Sequence, residues 1–129
     1  MLAPTDKEHL DQLGLDYEVI QEGGLICVVI KGWALPPGYQ PDKVDLLLRL
    51  PMGFPDAQPD MYWCDPPVRV AATGSYPPAA EQMEHYVGRT WQRFSRHLSG
   101  GAWQAGRDDL GSYLALIYRG LAKEIGATA

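Results

Sequence analysis

The chain carries two cysteines, Cys27 and Cys64, and three histidines, His9, His85 and His97. A thiol attacks as its thiolate, so a working cysteine needs access and surroundings that favour negative charge. Cys64 is the only serious candidate. It ends the stretch DMYWC, with Asp65 beside it and a loop after it. An adjacent carboxylate tends to raise a thiol's pKa and works against reactivity. Free cysteine also serves as a small apolar filler, and that is the simpler reading of a strand-end position. Cys27 lies in the middle of LICVVI and reads as core. His97, in RFSRHL, is available to orient backbone, to meet a partner or to assist a thiol, and a plain polar loop histidine is the simpler alternative. The three histidines form no pair at ligand spacing, and the two cysteines make neither a disulfide framework nor a zinc site. No metal and no cofactor are therefore expected. No Ser-His-Asp order with an elbow motif is present, and Gly23-Gly24 and Gly100-Gly101 lack the pattern of a phosphate loop. Asp108-Asp109 read most simply as a helix N-cap pair, with a cation or a basic partner as the alternative.

Those residues must be positioned by a chain of 129 residues, long enough for one domain over 1–129 to bury a core without staples. A net charge of −5 argues against a nucleic-acid surface, because phosphate rewards clustered Lys and Arg. The densest basic stretch, Arg89 to Arg96, holds three arginines with His97 next to it. No apolar run approaches the roughly 18 residues of a membrane span. The opening MLAPTDKEHL has neither a basic leader nor an apolar region, so secretion is not expected. Two cysteines at unrelated spacing then suit a reducing cytoplasm.

Thr5-Asp6-Lys7-Glu8 has the form of a capping box, and Gly14 suits a left-handed helix end, which predicts a helix over 5–13. DYEVIQ, Gly23-Gly24 and LICVVIKGWAL read as a hairpin. KVDLLLRL alternates, with Val44, Leu46, Leu48 and Leu50 on one face and Asp45, Leu47 and Arg49 on the other. DMYWC follows as a fourth strand, which predicts a four-stranded antiparallel meander. PPVRVAATGSYPPAA reads as loop. EQMEHYVGRTWQRF is ambiguous, a helical turn leading into extended chain being one reading. Leu110, Leu114, Ile117, Leu121 and Ile125 form one apolar stripe, which predicts a C-terminal helix. The class is α+β, with helices on one face of an antiparallel sheet.

This order resembles the ubiquitin-conjugating (UBC) fold. In that family a loop with Tyr/Phe-Pro and then Pro-Pro joins the third and fourth strands. Here Phe54-Pro55 and Pro59 stand in those places, with Met61 and Trp63 following as alternating inward residues. Trp103-Gln104-Ala105-Gly106 resembles the family's Trp-Ser-Pro-Ala stretch before an apolar helix. LPPGY, FPDAQPDMYW, RFSRHL and the stretch from Trp103 to Leu110 are most similar to the prokaryotic UBC-like branch. The genes of that branch lie beside those for a bacterial ubiquitin-like protein, an activating enzyme and a metalloprotease-type deconjugase.

One departure bears on activity. The family has His-Pro-Asn after the fourth strand and its thioester cysteine several residues beyond. His97 is the possible stand-in for that histidine, but Leu98 and Ser99 replace Pro-Asn, and no cysteine lies C-terminal to Cys64. The resemblance thus implies a UBC-fold, non-catalytic component that binds a ubiquitin-like protein or its activating or deconjugating enzyme. The alternative is a conjugating enzyme whose thioester forms on Cys64, assisted by His97 or Asp65. Aromatic and apolar anchors at loop tips are what binding surfaces use. Partner contacts are accordingly expected at Met52, Phe54, Tyr39, His97 and Trp103.

Overall fold

The computed structural model describes residues 2–98 and 101–126. Helix α1 spans Pro4–Gln12 and helix α2 spans Leu110–Glu124. Between them run β1 (Tyr17–Glu22), β2 (Leu25–Ala34), β3 (Tyr39–Gln40), β4 (Lys43–Pro51), β5 (Tyr62–Asp65), β6 (Arg69–Val70), β7 (Met83–Tyr86) and β8 (Arg89–Phe94). The main sheet has six strands in the order β1-β2-β4-β5-β8-β7, every neighbouring pair antiparallel, and β3 pairs with β6 separately. The expected count of four strands is therefore too low. The missing pair is the β7–β8 hairpin, in the segment whose sequence was ambiguous. Its turn, Val87-Gly88, takes positive φ at both residues, 46° and 79°. Valine is a poor residue for that conformation, so the sequence carries no turn signal there. Gly23-Gly24, by contrast, takes φ of 60° and 76°, as a two-residue hairpin turn requires.

Alternate residues of the strands face two different interiors. Val44, Leu46, Leu48 and Leu50 of β4 join Tyr62, Cys64 and Phe94 and the apolar stripe of α2 in the main core. That stripe is Leu110, Tyr113, Leu114, Ile117 and Leu121. On the opposite face Cys27, Val29, Leu47, Trp63 and Trp91 form a second buried cluster. The second cluster exists because the sheet curls. The backbone N–H of Val87, just past edge strand β7, donates to both carboxylate oxygens of Glu22, at the end of edge strand β1, at 3.1 and 3.2 Å. Leu47 is fully buried as a result, and β4 is covered on both faces.

The helix starts differ from expectation in an informative way. Ala3 is the N-cap of α1 and makes no side-chain cap bond, while Pro4 occupies the first turn. The capping box at Thr5 is not formed, because proline presets the backbone one residue earlier. Gly14 does take positive φ beyond the helix end. Asp6 is buried and serves the other helix: its Oδ1 accepts the N–H of Leu110 at 3.0 Å, the first residue of α2. At α2 itself Asp109 and Ser112 form the capping box, each side chain accepting the other's backbone N–H at 2.9 Å.

Gln92, fully buried on β8, holds the irregular chain between β5 and β7. Its Oε1 accepts the N–H of Val68 at 2.6 Å, and its Nε2 donates to the carbonyls of Val68 and Ala80 at 3.0 and 2.8 Å. Replacing it leaves three buried backbone groups without partners. Gln92→Ala is expected to lower stability by roughly 2–4 kcal/mol, read as a reduced urea midpoint; an unchanged midpoint would refute the clamp.

Asp6 generates a pH prediction. Burial raises its pKa against the lowering pull of the Leu110 hydrogen bond, and Asp109 raises it further. With the folded value above the unfolded one, the stability this group contributes is complete below pH 3.8 and is lost as pH rises through the folded value. Asp6→Asn keeps an acceptor for Leu110 and removes the charge. Urea titrations should show the variant gaining on the parent between acid and neutral pH, and a pH-independent difference would contradict this account.

Candidate functional site

Cys64 sits in the middle of the sheet. On β5 it faces Leu46 of β4 on one side and Gln92 of β8 on the other, and its exposure is 0%. Burial pushes the thiol's pKa well up, and Asp65 adds to the shift. The order of causes differs from the sequence argument, in which the neighbouring carboxylate stood first. Asp65 has its own partner: Arg89 donates to it from Nε at 3.0 Å and from Nη2 at 2.6 Å, and Nη2 also reaches Asp45 at 2.8 Å. Asp45 and Asp65 lie directly opposite across β4 and β5, a like-charge pair that costs stability unless neutralised. Arg89 neutralises it, so Asp65 is occupied by structure. Cys27 is equally buried, and desolvation raises its pKa while the guanidinium of Arg49 opposite pulls it down.

The segment after β8 carries His97, the expected stand-in for the UBC family's histidine. His97 is open, with 64% of its side chain exposed, and its Nδ1 meets Asp60 Oδ1 at 2.6 Å. No hydrogen bond joins His97 to Cys64 among the described residues, so the structure does not bring the two members of the thiol alternative together. Ser99, which stands in the family's Pro-Asn region, and Gly100 lie outside the described residues.

Trp103 anchors the next stretch. Its Nε1–H donates to the carbonyl of Pro55 at 2.8 Å, and its ring packs on Phe54 at 5.8 Å and edge-on to Tyr113 at 6.0 Å. Tyr113 in turn donates its hydroxyl to the Met61 carbonyl at 2.8 Å. The proline loop between β4 and β5 is thus pinned at both ends, to Trp103 and to α2. This corrects the expected display of Phe54. Its ring is 4% exposed, because the Trp103 indole covers it, and Met52, 47% exposed, is the large apolar side chain that this loop presents.

Tyr39 is likewise interior, 6% exposed, with its hydroxyl donating to the Leu121 carbonyl at 2.7 Å. Burial, reinforced by Glu124, pushes its pKa up to about 12. Its sequence position in a Pro-Pro-Gly loop hid this, because a loop aromatic that packs inward looks the same as one that packs outward. Of the five expected contact residues, Met52 and His97 are open, Trp103 is half-buried, and Phe54 and Tyr39 are interior. Asp60 and Tyr113 were not singled out from sequence. Tyr113 could have been found as the aromatic flanking the α2 stripe, whereas nothing local marks Asp60 as the partner of His97. Among the described residues no cluster of three His, Cys, Asp or Glu side chains is arranged to hold a metal ion, and no helix is long and apolar enough to cross a membrane.

An α+β domain with a curled antiparallel sheet, two helices and a Trp-pinned proline loop is compatible with a ubiquitin-conjugating-like architecture. The chain belongs to the family described as Prokaryotic E2 family E, which matches residues 2–124. That membership makes it a UBC-like protein of a ubiquitin-like pathway and suggests interaction with a ubiquitin-like protein. No curated protein and no solved structure matches the chain.

The burial of both thiols has a direct measure. In native buffer, a disulfide reagent such as DTNB should label Cys27 and Cys64 at least about 100-fold more slowly than in denaturant, since access requires opening of the sheet. Peptide mass spectrometry identifies the labelled site. Native labelling of Cys64 at the denatured rate would mean that its thiol is accessible.

Proposed function

We propose that this chain is a UBC-fold, non-catalytic component of a bacterial ubiquitin-like protein pathway. It would bind a ubiquitin-like protein, its activating enzyme or its metalloprotease-type deconjugase. The observation that carries the reading is the burial of Cys64, the one thiol considered for a thioester. It is fully enclosed between β4 and β8, its pKa is raised, and Asp65 beside it is held by Arg89. A thioester carrier needs a reachable thiolate.

The reading takes residues 1–129 as one UBC-like domain working without metal or cofactor. Two free, buried cysteines suit a reducing cytoplasm. Binding is assigned to the open end of the proline loop and the start of the segment beyond β8. Met52 and His97 supply contacts there. Trp103 supplies its uncovered edge, while Phe54 and Tyr39 act from inside by holding the loops in place.

The test combines the chain with a bacterial ubiquitin-like protein, the matching activating enzyme and ATP. The products are resolved with and without reductant, and co-purification is measured in parallel. The expected result is complex formation unaffected by Cys64→Ala and no reductant-sensitive adduct. Met52→Asp should weaken capture by about tenfold, the scale of a central interface contact. An adduct that disappears in Cys64→Ala would establish the enzyme alternative.

A further inference from the structure

The concave side of the curled sheet opens into a cleft of about 300 Å³. That is the lower end of the range for small-ligand sites, about 300–1,000 Å³. Leu25, Pro51, Met61 and Trp63 give it apolar walls, and Arg49 lies among them. Arg49 is unusual in this chain. Four arginines are half-buried, and three of them, Arg89, Arg93 and Arg96, each pair with a carboxylate. Arg49 pairs with none among the described residues, and its Nε is buried without a hydrogen-bond partner.

A half-buried charge without a counter-ion costs free energy unless something compensates it. Part of the compensation is aromatic: the guanidinium lies over the Tyr86 ring at 3.7 Å and near Trp63 at 5.8 Å. Those rings are fixed from behind. Trp63 Nε1 and Tyr86 Oη both donate to Glu84 Oε1, at 2.9 and 3.2 Å, and Arg93 holds Glu84 Oε2 at 2.9 Å. Burial acts to raise the pKa of Glu84, but these bonds outweigh it and lower the value, so the carboxylate stays ionised and engaged. The second acid on the cleft, Asp60, is engaged by His97. Cys27, opposite Arg49 across the strands, keeps a raised pKa and offers a neutral thiol. The terminal nitrogens of Arg49 are thus pre-positioned donors that meet no carboxylate among the described residues.

We propose that this cleft binds a carboxylate carried on an apolar body, with the carboxylate on Arg49 and the body against Leu25, Met61 and Trp63. A guanidinium presents paired N–H groups to a carboxylate, which is why such a site favours this anion. Two sources share the chemistry, a free small acid and the C-terminal end of a peptide chain. The proposal is independent of the pathway reading above, since its test contains no ubiquitin-like protein.

The test is an NMR titration of the isotopically labelled chain, following the Trp63 indole N–H and the Arg49 Nε–H. The probes are N-acetyl-leucine, acetyl-Ala-Ala-Leu with a free C-terminus, and the same tripeptide as its amide. Saturable shifts with the acids, and binding by the amide at least about tenfold weaker, are expected from loss of a charge-assisted pair. Arg49→Gln should weaken acid binding by a similar factor. The acid–amide comparison uses the unaltered chain, so the test stands even if that variant folds poorly. Tripeptide binding at least about tenfold tighter than N-acetyl-leucine binding identifies a chain end; comparable affinities identify a small free acid. No saturable shift with either acid, or equal binding of acid and amide, would overturn the proposal.

Discussion

The buried side chain of Gln92 is the contact on which the middle of this molecule depends. The chain from Pro66 to Gln82 contains only the two-residue strand β6, so its backbone groups need partners from outside. Gln92 supplies three of them, bonding both polar groups of Val68 and the carbonyl of Ala80. With that chain held down, Val68 and Ala80 are fully buried and join the main core beside Cys64 and Phe94. Gln92 is also the direct cross-strand neighbour of Cys64. The residue that organises the irregular segment is therefore the one that flanks the thiol. Burial of Cys64 follows from how this fold closes its own sheet, and neutral character of the thiol follows from burial.

Curling sets the second constraint. A flat six-stranded sheet with helices on one side would leave the other side wet. Here Glu22 and Val87 tie the two edges toward each other, and the space between them fills with Trp63, Trp91, Leu47, Val29 and Cys27. Tight filling ends at one margin, where the proline loop and β7 diverge and the Arg49 cleft opens. The edge strands are also less available for pairing with other chains when a turn folds over them.

How much of this was legible in the sequence depended on whether the signal was local. The alternation in KVDLLLRL identified both faces of β4, because a period of two is a property of the segment itself. Gly23-Gly24 and the stripe from Leu110 to Leu121 were equally local and equally clear. The β7–β8 hairpin was not, since Val87-Gly88 is held in its turn by the distant Glu22 rather than by its own residue types. Thr5 to Glu8 shows the opposite failure, a valid local pattern overridden by Pro4. At the candidate site Cys64 could be weighed from its neighbours alone, and burial was the simpler reading. The inward packing of Phe54 and Tyr39 depended on Trp103 and Leu121, 49 and 82 residues further along the chain, which no local pattern reveals.

Residues 59–62 join the two surface sites into one unit. Asp60 faces His97 on one side and lines the Arg49 cleft on the other. Met61 takes φ of 58°, a conformation that is strained for a long side chain and persists only where the surroundings hold it. Its N–H donates to the Arg96 carbonyl at 3.1 Å and its carbonyl accepts from Tyr113 at 2.8 Å, while its side chain packs on the concave cluster. Trp63 then forms the cleft wall. This backbone is tied to the chain just past β8 through Arg96 and to α2 through Tyr113. The His97 surface and the Arg49 cleft are thus positioned by the same few peptide units. Asp60 serves both as the hydrogen-bond partner of His97 and as part of the wall of the Arg49 cleft.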